Sequence, residues 1–300
     1  MDRFKQIETF ASVAQRGTLS AAAQAEGVAP AVIGRRMDAL EARLGVKLFV
    51  RTTRRLTLTF EGSAFLEDCQ RILNEFHNAE ASVSLGGIKA SGHVRLTAPA
   101  GFGRRHVAHL IPEFLAANPD VSVSLELSDG LSDIVTDGFD LAIRLGTLDD
   151  SNLVSVRLAN NRRLVVASPD YLKQHGTPAD PAQLAGHNCL TFGNYGNQAR
   201  GWQFIVEGKV QSVRTAGLLQ TNDGSVLHQW ALAGAGLAWR SEWEVGADIA
   251  AGRLQVILQE FEAPDSGIYA VFPQRRHLPL RVRMLIDLLK NTYGSATYWQ

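Results

Sequence analysis

The 300-residue chain is short of cysteine: it has two, Cys69 and Cys189, and no C-x-x-C pair. That excludes a disulfide framework and leaves structural zinc without a ligand set. No apolar run reaches the ~18–20 residues that a bilayer crossing needs. The first ten residues, MDRFKQIETF, lack the basic-then-apolar order of a secretory leader. A cytoplasmic protein without membrane contact is therefore expected. Net charge is missing as well, because 30 Lys and Arg balance 30 Asp and Glu, so the chain as a whole implies neither an acidic nor a basic partner.

Catalytic motifs are also lacking. Gly101-Phe102-Gly103 and Gly234-Ala235-Gly236 do not extend to a G-x-G-x-x-G opening a helix after a strand, and neither a phosphate-binding G-x-x-x-x-G-K-[ST] nor a G-x-S-x-G elbow occurs. His106 and His109 stand three apart on an expected helix without a third ligand at metal spacing, and read as a surface pair. Asp223, Ser225 and His228 sit at a helix start, where they read as capping rather than catalysis. No enzyme activity, cofactor or metal is expected.

What is present is an ordinary globular composition, 45% hydrophobic and 20% charged, over a length that suits about two domains with a smaller module attached. The charge balance hides an asymmetry. Residues 1–62 hold ten basic residues against six acidic ones, and seven of the ten lie between Arg35 and Arg55. Such a run is either a solvated helix face or an electrostatic footprint for phosphates.

Local patterning separates these readings. Phe4, Ile7, Phe10, Ala11, Val13 and Ala14 recur at helical spacing up to Gly17. Thr18 or Ser20 caps a short alanine-rich helix that ends at Gly27. A third helix starts at Pro30, a residue suited to a first turn, with Val32, Ile33, Met37, Leu40 and Leu44 inward and Arg35, Arg36, Asp38 and Glu41 outward. Two helices joined by a glycine-containing turn, the second fronted by basic residues, make a helix-turn-helix. Val46–Val50 and Leu56–Thr59, two β-like runs around a basic, threonine-rich turn, read as a wing.

Over TLSAAAQAEGVAPAVIGRRMDALEARLGVKLFVRTTRRLTLTFEG the sequence resembles the LysR-type transcriptional regulators. The alanine-rich helix, the L-E-x-x-L-G-V-x-L-F segment, the basic wing and T-x-x-G follow in the family's order, and the likeness continues over essentially the whole chain. Where many relatives carry polar residues at the start of the recognition helix, this chain has Ala29, Pro30 and Gly34. The candidate DNA contacts are Ser20 on the second helix, Pro30, Ala31, Gly34, Arg35 and Arg36 on the third, and Arg51, Thr53, Arg54 and Arg55 in the wing. The resemblance implies that Arg51 and Arg54 approach the minor groove, whose negative potential favours arginine.

Phe65, Cys69, Ile72, Phe76, Ala79 and Val83 follow at steps of four, three, four, three and four, a heptad seam widened by Leu66 and Leu73. A helix over 61–85 would be about 38 Å long, too long to bury that seam against a small winged domain alone. It serves either to dimerise the chain or to pack on the remaining domain, and the dimer is the preferred reading because paired winged domains read two-fold operators. Cys69 reads as a small buried hydrophobe.

Beyond Gly86-Gly87 strands and helices alternate. Expected strands are His93–Ala98, Val121–Leu127, Asp140–Arg144, Arg163–Ala167, Cys189–Phe192, Ser212–Thr215, Leu237–Trp239 and Gly267–Phe272; expected helices are Val107–Leu115, Leu131–Val135, Ser225–Ala233 and Leu280–Leu289. The alternation implies parallel βα units. Two α/β lobes joined by crossing strands resemble the family's periplasmic-binding-protein-like effector domain.

The fold class expected is thus an all-α winged helix-turn-helix domain over 1–60, a dimerising linker helix over 61–88 and a two-lobed α/β effector-binding domain over 89–300. Lobe I takes about 89–162 and 266–300, and lobe II about 163–265.

A ligand belongs at the carboxyl ends of the strands. The candidates there are Ala98, Pro99, Ala100, Gly101, Phe102 and Ser128, then Arg144, Phe192 and Asn194, then Asn222, Asp223, Trp239 and Arg240. Arg144 and Arg240, one per lobe, suit a bidentate carboxylate, unless they pair with acids such as Asp129, Asp133 or Glu242. Five tryptophans, Trp202, Trp230, Trp239, Trp243 and Trp299, fall late in the chain and offer either an aromatic lining or core. The expected function is a DNA-binding transcriptional regulator whose hold on a double-stranded operator is modulated by a small molecule, a small organic anion. The alternative is a ligand-binding module whose helix-turn-helix contacts protein. The resemblance implies a homodimer, and a tetramer built as a dimer of dimers.

Overall fold

The computed structural model describes residues 2–51, 56–83, 89–130, 133–146, 153–193, 201–261, 263–264, 266–274, 278–295 and 297–299. The chain divides into two compact units, Met1–Ile88 and Lys89–Gln300. No helix among the described residues is long and apolar enough to cross a membrane.

In the first unit α1 (Arg3–Arg16), α2 (Leu19–Glu26) and α3 (Pro30–Leu44) pack around Phe10, Val13, Ile33, Met37 and Leu40, all essentially solvent-free. The starts and stops are the expected ones. The Thr18 hydroxyl accepts the Ala21 N–H, Pro30 opens α3, and Gly17, Gly27 and Gly45 end the three helices in the left-handed conformation. β1 (Phe49–Arg51) and β2 (Leu56–Leu58) pair antiparallel to form the strands of the wing, and α4 (Phe60–Val83) follows.

One expectation is corrected here. Glu41 does not face outward: it is 3% exposed and accepts the Leu48 and Phe49 N–H groups and Lys47 Nζ, so that it anchors the approach to β1. Burial opposes its ionisation, but these donors outweigh that and hold the carboxyl below its usual range. The seam of α4 is divided, its first part packing inside the winged unit. Phe65 meets Phe10 at 5.4 Å between ring centroids, Cys69 is fully buried in the same core, and Phe76 meets Phe4 at 4.3 Å. Ile72 and Phe76 nonetheless stay 44% and 43% exposed. Burial pushes the Cys69 thiol up to about 12, which makes it the inert hydrophobe expected.

The second unit has two lobes whose cores share no residue. The first lobe is a five-stranded sheet of β3 (Gly92–Ala98), β4 (Val121–Leu127), β5 (Leu141–Gly146), β6 (Leu153–Asn160) and, returning late, β14 (Gly267–Pro273), in the order β4-β3-β5-β14-β6. It carries α5 (Ala100–Phe102), a π turn over Gly103–Val107, α6 (Leu110–Ala117) and α10 (Leu280–Tyr293).

The second lobe holds β7 (Arg163–Ala167), α7 (Pro169–His175), β8 (Thr191–Phe192), the hairpin of β9 (Trp202–Val206) and β10 (Lys209–Val213), β11 (Gln220–Thr221), α8 (Gly224–Leu232), β12 (Ala238–Ser241), α9 (Glu242–Ala250) and β13 (Gln255–Ile257). Its three-stranded sheet runs β12-β7-β13.

Neither main sheet is wholly parallel: that of the first lobe is mixed and the three-stranded one of the second lobe is antiparallel. β3 pairs parallel with β4 and β5, but β14 lies antiparallel to β5 and β6, and both neighbours of β7 run against it. The chain leaves the first lobe through Asn161–Arg162 and returns from the second at β14, so the returning strand enters the sheet from the opposite end. The helix expected from Leu131 is absent over its described part, and Leu131 itself lies outside the described residues. The Asp133 carboxylate accepts the Val135 and Thr136 N–H groups, which bends residues 134–138 into turns.

Candidate functional site

The N-terminal face of α3 is exposed and small. Pro30, Ala31 and Arg35 are exposed, as is Ser20 on α2, and Gly34 lies half-buried between them. A Cβ built on Gly34 would meet nothing within 4 Å, so packing inside this chain does not require glycine there.

Arg35 and its neighbour Arg36 have different surroundings. Arg36 Nη1 lies 2.6 Å from Glu26 Oε2 and also donates to Thr9 Oγ1. Glu26 further pairs with Lys5 at 3.4 Å. Arg36 therefore ties α3 to α1 and α2, contrary to its expected outward orientation, whereas Arg35 is an exposed cation on the helix face. Arg51 ends β1; its side chain, like Thr53, Arg54 and Arg55, lies outside the described residues.

In the second unit a cavity of 230 Å³ opens between the lobes. Of the residues expected there, Pro99, Gly101, Phe102, Ser128, Arg144, Phe192 and Arg240 line it. Ala98 is buried in the core of the first lobe. Ala100 contributes its backbone N–H, which it donates to Asp129. Asn222 is exposed and lines no part of this cavity, and Asn194 lies outside the described residues. The Asp223 carboxylate is occupied in capping α8, accepting the Ser225 and Val226 N–H groups. Trp239 faces a different cavity.

Asp129 and Gly224 at strand ends, and Trp243 among the tryptophans, line it as well, and the structure adds Asn161, Arg163 and Glu244. Asp129 joins the lobes, since one oxygen accepts Ala100 N–H at 2.7 Å and the other Gly224 N–H at 3.2 Å. A Cβ at Gly224 would lie 2.7 Å from Arg240 Nη2, so a larger residue there would displace the end of that side chain. Arg104 donates to Ser225 Oγ, Arg105 to the Trp243 carbonyl, and Trp243 sits edge-on to Phe102 at 5.3 Å, so the lobes meet on several contacts.

Arg240 is 8% exposed and pairs with Glu244 at 2.6 Å, not with the acids expected. Arg240 lies near the end of β12 and Glu244 in the first turn of α9, so the pair spans the strand-to-helix junction. His228 lies 2.9 Å from Asp248, which also holds Arg253 at 2.6 Å, and it stands 3.9 Å from Glu244. Burial lowers the pKa of the Arg144 guanidinium in the cavity wall. Among the described residues, Arg240 Nε and Trp243 Nε1 are buried donors without a hydrogen-bond partner.

His106 is not the surface residue expected. It is 9% exposed, packed against Phe102, Trp243 and Trp299, with Nδ1 at 3.0 Å from the Tyr298 hydroxyl. Trp202 and Trp230 belong to the cores of the second lobe.

Comparison with known proteins covers both units. Residues 4–63 match the family described as "Bacterial regulatory helix-turn-helix protein, lysR family", and residues 88–294 match "LysR substrate binding domain". The HTH-type transcriptional regulator DmlR of Escherichia coli K12 is 34% identical over 289 residues, 96% of this chain and 94% of that one. PtxR of Pseudomonas aeruginosa, also an HTH-type transcriptional regulator, is 33% identical over 297 residues, 97% of this chain and 93% of its own. Among solved structures, CrgA, a LysR-type transcriptional regulator from Neisseria meningitidis, is 31% identical with a TM-score of 0.60, covering 97% of this chain and 99% of that one.

Proposed function

The chain belongs to the LysR family of transcriptional regulators, and on that footing we propose that a small organic anion in the cavity between the lobes sets its hold on DNA. The observation that carries this is the presence in the cavity wall of buried donors without hydrogen-bond partners, Arg240 Nε and Trp243 Nε1 beside Arg163 Nε. An unpaired buried donor costs about 1–3 kcal/mol, so a ligand rich in acceptors is favoured there. The Arg144, Arg163 and Arg240 guanidiniums favour it further if it is charged.

On the DNA side, Arg35 reaches phosphates or base edges, Ser20, Pro30, Ala31 and Gly34 allow the duplex to approach closely, and Arg36 holds α3 in position. Arg51, Thr53, Arg54 and Arg55 contact the groove flanks as the wing. Ile72 and Phe76 on α4, exposed in the single chain, form part of a homodimer seam, and a dimer of dimers is the larger assembly. Two such units read a two-fold operator and add their affinities. The ligand acts by binding one arrangement of the lobes better than another, and α4 passes the change to the DNA-binding units.

The first experiment is fluorescence anisotropy of the purified protein on the DNA upstream of its own gene, against a scrambled duplex, across a salt series. Sequence-dependent binding with a steep salt slope is expected. Equal, weak binding to both duplexes would overturn the direct reading of DNA without ligand. Calorimetry with short-chain carboxylates then tests the anion: heat that Arg240→Ala removes supports it, and no heat across the panel overturns it.

A further inference from the structure

A second, larger cavity of 390 Å³ lies on the second lobe, against the segments by which the chain crosses between lobes. Its walls are Asn160–Val165, Val256–Gln259, Phe261, Ala263 and Pro264, with Phe204, Ile205 and Trp239. None of the residues that the proposed function uses for the anion lines it, apart from Arg163, which lines both cavities.

Three observations mark it as more than a surface hollow. The Arg163 guanidinium lies 3.8 Å above the Trp239 ring and donates through Nη2 to the Trp239 carbonyl. Trp239 lines this cavity and not the one in front, so the guanidinium is held toward the rear; its Nε is buried and has no hydrogen-bond partner. Beside it, Asn161 is 4% exposed, and its Oδ1 is likewise buried without a partner. Leu258, in the same wall, has a φ of 56°, a left-handed conformation that a leucine rarely adopts and that here is buried. A donor and an acceptor left unpaired in the wall of a cavity of this size, beside the apolar side chains of Phe204, Ile205, Val256 and Phe261, suit a ligand that supplies both.

We propose that the rear cavity binds a second small molecule, a flat, mainly apolar aromatic bearing an amide or similar group that accepts from Arg163 Nε and donates to Asn161 Oδ1. The ring packs among Phe204, Ile205, Val256 and Phe261. Because Arg163 and Asn161 also line the front cavity, an occupant at the rear fixes two groups of the anion site and is coupled to it. The site does not depend on the front cavity taking an anion, and its test is independent of that reading.

The probe is benzamide, titrated into the full-length ¹⁵N-labelled protein, with tryptophan indole N–H signals as the readout after assignment by single Trp→Phe variants. Saturable shifts of the Trp239 signal are expected with a Kd in the range of about 0.1–1 mM, the affinity scale of a small fragment, while Trp243, which lines only the front cavity, stays in place. Ile205→Trp, which fills the cavity from a position 37% exposed, is expected to weaken binding at least tenfold; Val256→Phe serves as a second blocking variant, and circular dichroism checks that each is folded. Absence of saturable shifts, movement of Trp243 in place of Trp239, or undiminished binding to both folded variants would overturn the proposal.

Discussion

The Asp129 carboxylate accepts the backbone N–H of Gly224 at 3.2 Å across the lobe boundary while its other oxygen accepts that of Ala100 at 2.7 Å. A carboxylate of the chain itself thus occupies two backbone donors beside the cavity between the lobes, one from each lobe. It ties the lobes together and, under the proposed function, competes with an incoming carboxylate for the same N–H groups. Asp129→Ala should free both donors. Hydrogen bonds to charged groups contribute about 1.5–3 kcal/mol, so the variant is expected to unfold at lower temperature than the parent and to bind carboxylates about tenfold more tightly in calorimetry. Affinity that stays level or falls would show that the two amides are not ligand donors.

Arg35 and Arg36 are neighbours with different work. Arg36 makes the shorter of the two ion pairs of Glu26, whose side chain is 10% exposed, and its removal leaves that carboxylate with only the longer pair to Lys5 and the Thr9 hydroxyl. Arg36→Ala should therefore lower the stability of the DNA-binding unit by about 1–3 kcal/mol in denaturant unfolding, and lose DNA binding in proportion to unfolding. Arg35→Ala should leave stability within about 0.5 kcal/mol, weaken DNA binding, and flatten the log–log salt dependence by about one unit for each phosphate that the arginine neutralises. The salt slope separates the two, since a change in the folded fraction alone leaves it unaltered.

Gly34 gives a sharper test of how closely the duplex approaches. Nothing in the chain lies within 4 Å of a Cβ placed there, and glycine inside a helix costs about 0.8–1.0 kcal/mol relative to alanine. Gly34→Ala is expected to stabilise the unit by up to that amount and at the same time to weaken operator binding severalfold. A variant that is more stable and binds equally well would place the DNA farther from this turn of α3.

Much of this was legible in the sequence where one local rule governs the outcome. Thr18, Pro30 and the glycines bounded the three N-terminal helices because caps act over three or four residues. Arg144 and Arg240 were legible as cavity cations because strand ends converge on a crevice. Hidden were relationships made over long sequence separations. Glu41 looks like any outward helix acid until the chain folds back and presents the Leu48 and Phe49 amides to it. Asp129 meets Gly224 across 95 residues. His106 is covered by Tyr298 and Trp299, from a C-terminal turn that carries no periodic signal. Glu244 is only four residues from Arg240, but the strand-to-helix junction that brings them together, between β12 and α9, carries no periodic signal.

His106 sets a pH dependence whose sign follows from its surroundings. Burial first, then the charges of Arg105 and His109, push its pKa from 6.5 down to about 4. The folded state holds it neutral among aromatic rings while the unfolded chain binds a proton below 6.5, so its contribution to stability is complete above that pH and is lost as pH falls from 6.5 through about 4. Carboxylates add to the acid loss lower down, so the measurement is a difference between two proteins. His106→Phe keeps a ring in the cluster and removes the titration. Its thermal midpoint is expected to fall less steeply than the parent's between about pH 6.5 and about pH 4, whatever its absolute value at about pH 7, where the missing Tyr298 hydrogen bond also counts. Parallel curves over that interval would mean that water reaches the imidazole in the folded protein and that it protonates there without disrupting the cluster.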